Sequence, residues 1–426
     1  MNWIDSSALG GSQVVGTEAR GPSDRPAPQT WRAAAAIAAL PGMTPRRLRD
    51  FLSGREPEDV WEELVSGRRT LDLEGRWQKA ARSGLFEKVV ALCEELGAAV
   101  LVRGHPGYPG PLVQDPGAPE VLFALGNVSL LAGAPRVAVV GTRSATRYGL
   151  GIATELGTEL SLSQVLVVSG LAEGIDAAAH AGVFKAQDGA PPVGVIGAAL
   201  GNAPPRATAR LRDRVVAEGL LLSETPPGVG AERWRFAARN RIMAALSHVV
   251  VVVESRLKGG SLHTVRAAVQ RGIPVGAVPG SVQSPASSGT NSLIADGAFV
   301  VRDVEDVLTA IELALAGDSA VRPPVWRSEH AGRRHGTESE RSSVRLPGAL
   351  EGATGPRHGG GRSSGAEPPT PGGAAIRVLE AVGYEPTSVE ELIGSCSLSL
   401  GEIALALERL ASAGHVEEEG GYWRRI

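Results

Sequence analysis

Residues 137–149 read VAVVGTRSATRYG: an unbroken apolar run, then Gly141-Thr142-Arg143-Ser144, then the start of a helix-length stretch. A short run that is apolar on both faces fits a strand in the middle of a parallel sheet, where helices cover both surfaces. The alternation recurs downstream. Runs at 165–168, 193–196, 220–222, 249–253, 275–278 and 299–301 are separated by helix-length segments. The pattern predicts an α/β domain: an extended Rossmann-like parallel sheet with helices on both faces.

Ligands of such a sheet bind beyond the carboxyl ends of its strands, where loops lead into helix N-termini. Three turns fall there: 141–144, 169–176 (SGLAEGID) and 259–262 (GGSL). Each pairs small residues, which let backbone N–H groups approach an anion, with a helix start whose dipole favours negative charge. Together, with Arg143 in the first, they suggest a phosphate-binding rim. Residues 236–247 read as a helix entering the most apolar strand. Arg239 and Arg241 lie in its N-terminal half, near the same rim, where they can contact phosphate oxygens while Asn240 bonds backbone or base. A solvated helix face explains the same charges equally well. Asp176 and His180 share a helix face at i, i+4 and read as a structural hydrogen bond, because no further ligand or nucleophile completes a metal site or a catalytic triad. Gly141 does not open the G-x-G-x-x-G spacing of a dinucleotide fold, and no Gly-Lys-Ser or Gly-Lys-Thr occurs. Binding without catalysis, cofactor or metal is expected.

Outside this block the composition shifts. Residues 1–30, rich in Gly, Ser, Pro and Asp, read as a disordered leader. Residues 31–104 form a small helical domain in which Thr44 caps a helix and Pro45 opens it, after a tight turn at Gly42. The pair looks like a helix-hairpin-helix, able to offer backbone N–H groups to a phosphate, although two helices closing a small domain read the same way and are favoured. Residues 105–316 hold the Rossmann-like domain, and 317–372, rich in Pro, Gly, Ser, Arg and His, read as a disordered linker. Residues 373–426 carry three helical patterns and a Gly420-Gly421 turn between strand-like pieces, which is the order of a winged helix.

The 426 residues are 43% hydrophobic and 21% charged, which rules out wholesale disorder. With a net charge of -3, any grip on nucleic acid needs a local basic patch. Cys93 and Cys396 are too far apart to suggest a disulfide framework, and a reduced compartment fits. No apolar run approaches the roughly 20 residues of a membrane helix, and no secretory pattern opens the chain, so a cytoplasmic protein without membrane contact is expected.

The blocks VAVVGTRSATRYG (137–149), SGLAEGIDAAAHAG (169–182), LLSETPPG (221–228), RFAARNRIMAALS (235–247), VVVESRLKGGSLHT (251–264), AVPGS (277–281) and SGTNSLIADGA (288–298) resemble, in order and spacing, the DNA-processing protein DprA family, also called Smf. The helical N-terminal domain and winged helix match the family's longer members. The resemblance implies a cytoplasmic homodimer, joined through the Rossmann-like domain. Such a protein binds and protects single-stranded DNA without sequence preference and helps load RecA recombinase, as in natural transformation. It implies a DNA-binding pocket at Gly141, Arg143, Ser169, Gly170, Gly174, Arg239, Asn240, Arg241, Gly260 and Ser261. Three features depart from the family pattern. Glu173 stands where Lys or Arg is usual, the 197–205 loop lacks the usual Asp and Tyr, and Thr225 replaces a common Tyr. Each removes a cation or an aromatic platform. The rival reading is a nucleotide-derived-ligand sensor or phosphoribohydrolase of the LOG-like type on the same kind of sheet. Its P-G-G-x-G-T motif and following glutamate are not matched at 259–267.

Overall fold

The computed structural model describes residues 28–68, 75–317, 373–383, 387–396, 398–412, 415–419 and 422–425. The leader expected over 1–30, apart from its last three residues, lies outside them. So do the linker expected over 317–372, apart from Gly317, and the Gly420-Gly421 turn. In chain order the strands are β1 (Ala99–Val102), β2 (Val121–Gly126), β3 (Arg136–Val140), β4 (Leu166–Ser169), β5 (Val193–Ile196), β6 (Leu220–Ser223), β7 (Val249–Val252), β8 (Val275–Ala277) and β9 (Phe299–Val300). β10 (Thr387–Ser388), β11 (Val416–Glu419) and β12 (Tyr422–Arg425) follow near the end. The chain divides into two compact units.

The first unit holds the described residues up to Ala134, with Ala199–Pro204 and Arg212–Gly230. It contains α1 (Pro28–Ala38), α2 (Pro45–Leu52), α3 (Pro57–Ser66), α4 (Arg76–Ala81), α5 (Leu85–Glu95) and the single turn α6 (Gly110–Val113). α1 is its buried axis: Ala34, Ala35, Ala36 and Ile37 are fully buried, and the small alanine side chains let α3 and α5 pack closely. Thr44 caps α2, its Oγ1 accepting from Arg47 N at 3.2 Å with Pro45 at the first position. In the hairpin turn the Gly42 carbonyl accepts from Arg47 Nη1 at 2.8 Å and the Pro41 carbonyl from Trp77 Nε1 at 2.8 Å, so α4 is pinned to it. β1 pairs antiparallel with β2, and β2 with β6. This unit therefore extends past Gly104 and draws in β6, because antiparallel ladders join segments distant in sequence.

The second unit carries the parallel sheet, in the order β5-β4-β3-β7-β8-β9. β3 sits in the middle: the chain steps outward to β4 and β5 on one side, then returns to place β7 at β3's other edge. Val137 faces Val249 and Val140 faces Val252 in register, all at 2% exposure or less. Burying each such side chain is worth about 1.5–3 kcal/mol, which makes this pair of strands the spine of the unit. α7 (Arg147–Leu162), α8 (Ile175–Val183), α9 (Ala209–Glu218, which runs into the first unit), α10 (Arg233–Ala238), α11 (Asn240–Leu246), α12 (Leu262–Val269), α13 (Ser288–Ala295) and α14 (Val304–Leu315) occupy the segments between and after the strands. The single helix expected over 236–247 is two, meeting at Arg239. Ile242 N bonds Arg239 O at 2.9 Å, an i→i+3 step that tightens the junction. The winged helix follows as α15 (Gly373–Ala381), α16 (Val389–Cys396) and α17 (Leu400–Ser412) with a β10-β12-β11 sheet. Its core of Val378, Leu392, Ile403, Leu407, Leu410 and Val416 is drawn from its own residues. No helix among the described residues is long and apolar enough to cross a membrane.

Candidate nucleic-acid interface

The order of the strands decides where a ligand can enter. From β3 the chain crosses to one side of the sheet, and from β7 to the other, so the loops leaving their carboxyl ends diverge and open a crevice between them.

The first loop is tied down from behind. Thr146 caps α7, and the buried carboxylate of Glu254, just past β7, accepts from Thr146 N at 2.9 Å and Thr146 Oγ1 at 2.5 Å. Thr142 N donates to the Glu254 carbonyl at 2.8 Å, while Ile175 N donates to the Thr142 carbonyl at 3.3 Å. Gly174, at φ 84°, makes that second tie feasible. A Cβ there would stand 2.5 Å from the Arg143 carbonyl, and the conformation suits glycine alone. Three segments thus fix the backbone on which exposed Arg143 is mounted.

The second turn is organised by a buried ion pair. Asp176 accepts from Gly170 N at 3.1 Å and lies 3.8 Å from Arg239 Nη2. Arg239 also donates to the Val195 carbonyl and, through Nε, to Asn240 Oδ1 at 3.1 Å. A Cβ at Gly170 would overlap the Arg239 guanidinium, so the glycine makes room for it. Burial pushes the Asp176 carboxyl up from its usual range, against the pull of Arg239 and of the Ala172 and Gly170 backbone N–H groups. Burial likewise pushes the His180 imidazole down to about 4, which keeps it neutral. Ser169 is fully buried, its Oγ donating to the Val139 carbonyl at 2.6 Å.

The third turn forms the far wall. Ser261 Oγ and Ser255 Oγ are 2.9 Å apart, Asn240 Nδ2 donates to the Gly260 carbonyl at 3.3 Å, and open space lies where a Gly260 side chain would be.

The crevice has a volume of about 520 Å³. Of the residues predicted from sequence, Gly141, Arg143, Arg239, Asn240, Gly260 and Ser261 line it. Ser169 and Gly170 are buried and Gly174 is half-buried; these three and Arg241 do not line it. Sequence reasoning missed Arg233, Phe236, Arg256, Lys258 and His263, which line it as well. Arg256 and Lys258 had a signal, being charges in the loop at the carboxyl end of the most apolar strand. Phe236 had one too, as the first residue of the helix read over 236–247, whose N-terminal half was expected near the rim; Arg233 had none, since it precedes that stretch and reaches the crevice only through the tertiary fold. Phe236 is 37% exposed, an aromatic face open to a planar ligand. Among the described lining residues Asp176 is the one carboxylate. Glu173 is exposed and outside the lining, and Thr225 is buried in the first unit with its N–H on Ser223 Oγ at 3.0 Å. No group of His, Cys, Asp or Glu among the described residues could hold a metal ion.

Residues 99–312 match the family described as DNA recombination-mediator protein A, and residues 362–421 the DprA winged helix domain. The DNA processing protein DprA of Bacillus subtilis is 37% identical over 222 residues, covering 52% of this chain and 73% of that protein. Its counterpart from Streptococcus pneumoniae is 40% identical over 205 residues, 48% of this chain and 71% of that protein. The X-ray structure of the Streptococcus pneumoniae protein superposes with a TM-score of 0.53 at 31% identity, covering 65% of this chain and 95% of that one.

Proposed function

We propose that this chain, which belongs to the DNA recombination-mediator protein A family, DprA or Smf, binds single-stranded DNA in the crevice at the ends of β3 and β7. The observation that carries this reading is the charge of the lining. Arg143, Arg233, Arg256 and Lys258 are exposed there, while the one carboxylate, Asp176, is already paired with Arg239. Arginine matches phosphate oxygens in geometry and charge, and backbone N–H groups of the glycine turns can add further donors. Phe236 can stack a base, a contact worth about 1–3 kcal/mol and tolerant of sequence. It supplies an aromatic platform that the loop at 197–205 and Thr225 do not. Backbone contacts and stacking carry little base information, which supports binding without sequence preference.

A strand held in this way is sheltered yet exchangeable, as a mediator requires. We extend the proposal to protection of incoming DNA and to its transfer to RecA recombinase by a homodimer built through the Rossmann-like domain, acting as a binding protein and not as an enzyme. Family membership supports these finer points.

The test is a titration of single-stranded oligonucleotide against rising salt, for the parent and for Arg143→Ala and Lys258→Ala. Each variant should bind more weakly and lower the salt slope by about 1, the release of roughly one counterion per lost phosphate contact. Unchanged affinity and slope in both variants would remove the crevice from DNA binding.

A further inference from the structure

In a winged helix the helix preceding the wing is the one that can be laid in a DNA groove, and here that helix is α17. Its inward side is Ile403, Ala406, Leu407 and Leu410, none more than 3% exposed. Helical periodicity then turns Gly401, Leu405, Glu408 and Ser412 outward along one line. Leu405 is 50% exposed and Leu400, at the helix start, 59%. Glu408 is exposed, and so is Glu402, whose carboxylate accepts from Ser399 N at 2.9 Å and Oγ at 2.7 Å. The helix has one cation, Arg409. Residues 373–426 contain nine glutamates, four arginines and no lysine. One of those arginines, Arg424, is paired with Glu417 at 2.5 Å.

A duplex carries about one negative charge per 1.7 Å of its axis, and Glu408 would point into that field from the middle of the helix face. The leucines would bring no donors to base edges. The face is wrong in sign for DNA and right for a cation-bearing apolar partner. We propose that the outward face of α17 docks a protein segment that presents apolar side chains at helical spacing between lysines or arginines. Leu400 and Leu405 are the apolar anchors, and Glu402 and Glu408 are the flanking charges that select the partner. A second copy of the same face fits poorly. Packed about Leu405, two copies bring Glu408 against Glu408 when parallel and against Glu402 when antiparallel, in each case like charge on like charge.

The probes are a labelled amphipathic helix of leucine and lysine, its leucine and glutamate counterpart, and a duplex oligonucleotide, each titrated against the full chain. The leucine–lysine helix should bind in a salt-sensitive manner and the glutamate version should not. Leu405→Asp and the milder Glu408→Gln should both weaken that binding, the former about tenfold, the scale of one anchor residue. Affinity for single-stranded oligonucleotide, read in parallel, should stay at the parent value and so report an intact crevice. Three results would each overturn the proposal. One is equal binding of the leucine–lysine helix by parent and variants. Another is duplex binding that falls in Leu405→Asp, which would make α17 a DNA reader. The last is a dimer seen by sedimentation that Leu405→Asp dissolves, which would make the occupant a second copy.

Discussion

His180 is fully buried on α8, on the same face as Asp176, and its depressed pKa makes it a reporter of the sheet's integrity. The unfolded chain takes up a proton near pH 6.5, whereas the folded one resists until about 4, so the unfolded state binds more protons between those values. Stability should therefore be present above pH 6.5 and drain away as pH falls through this window, by up to about 3 kcal/mol. Asp176 is shifted upward and so opposes the loss, because its folded state takes up a proton before the unfolded chain does. The contribution of His180 is isolated by substitution. Thermal midpoints measured between pH 7 and pH 4 should fall less steeply for His180→Gln than for the parent, even if the variant starts lower. Parallel profiles would mean that His180 is protonated in the fold at an ordinary pH. Arg239 shows the same economy: its guanidinium, 6% exposed, is committed to Asp176, Val195 and Asn240 and so acts on the crevice largely by holding its wall.

The loop between β3 and α7 depends on an element it never touches in sequence. Glu254 sits 108 residues beyond Thr146 and supplies the carboxylate at the α7 N-terminus, where the helix dipole stabilises negative charge. Glu254→Gln keeps the shape but loses the charge. The cost should be about 1.5–3 kcal/mol of stability, the range for a hydrogen bond to a charged group. Because Glu254 acts on DNA only through the loop that carries Arg143, its effect on binding should be non-additive. Single-stranded DNA affinity should drop in Glu254→Gln and change little when the same substitution is made in Arg143→Ala. Equal losses in both backgrounds would uncouple Glu254 from Arg143. The paired loops also explain how a chain of net charge -3 can hold an anion: the parallel topology gathers cations from the β3 and β7 loops and from α10 into one crevice.

Across the whole molecule the two cores of the second unit close independently, one from residues 137–311 and the other from 374–423. A chain ended at residue 317 should therefore keep a cooperative thermal transition and its affinity for single-stranded DNA. Calorimetry without a cooperative transition would show that the winged helix belongs to the core. Much of this architecture was legible locally. The β-branched runs from Val137 to Val301 marked the strands, Thr44-Pro45 marked the start of a helix, and the glycine turns marked the carboxyl ends of the strands, because these signals arise from backbone conformation and side-chain periodicity within a few residues. Local pattern alone therefore specified the α/β class, the winged helix and the placement of the glycine turns at the carboxyl ends of the strands. Strand order and long-range contacts were needed to show that Arg239 turns inward to Asp176, that Ser169 and Gly170 are buried behind the crevice, and that Arg233 of α10 lines the same space as Arg143. Which side chains face one space depends on strand order and on ties such as Glu254 to Thr146, and these join residues too far apart along the chain to leave a local pattern.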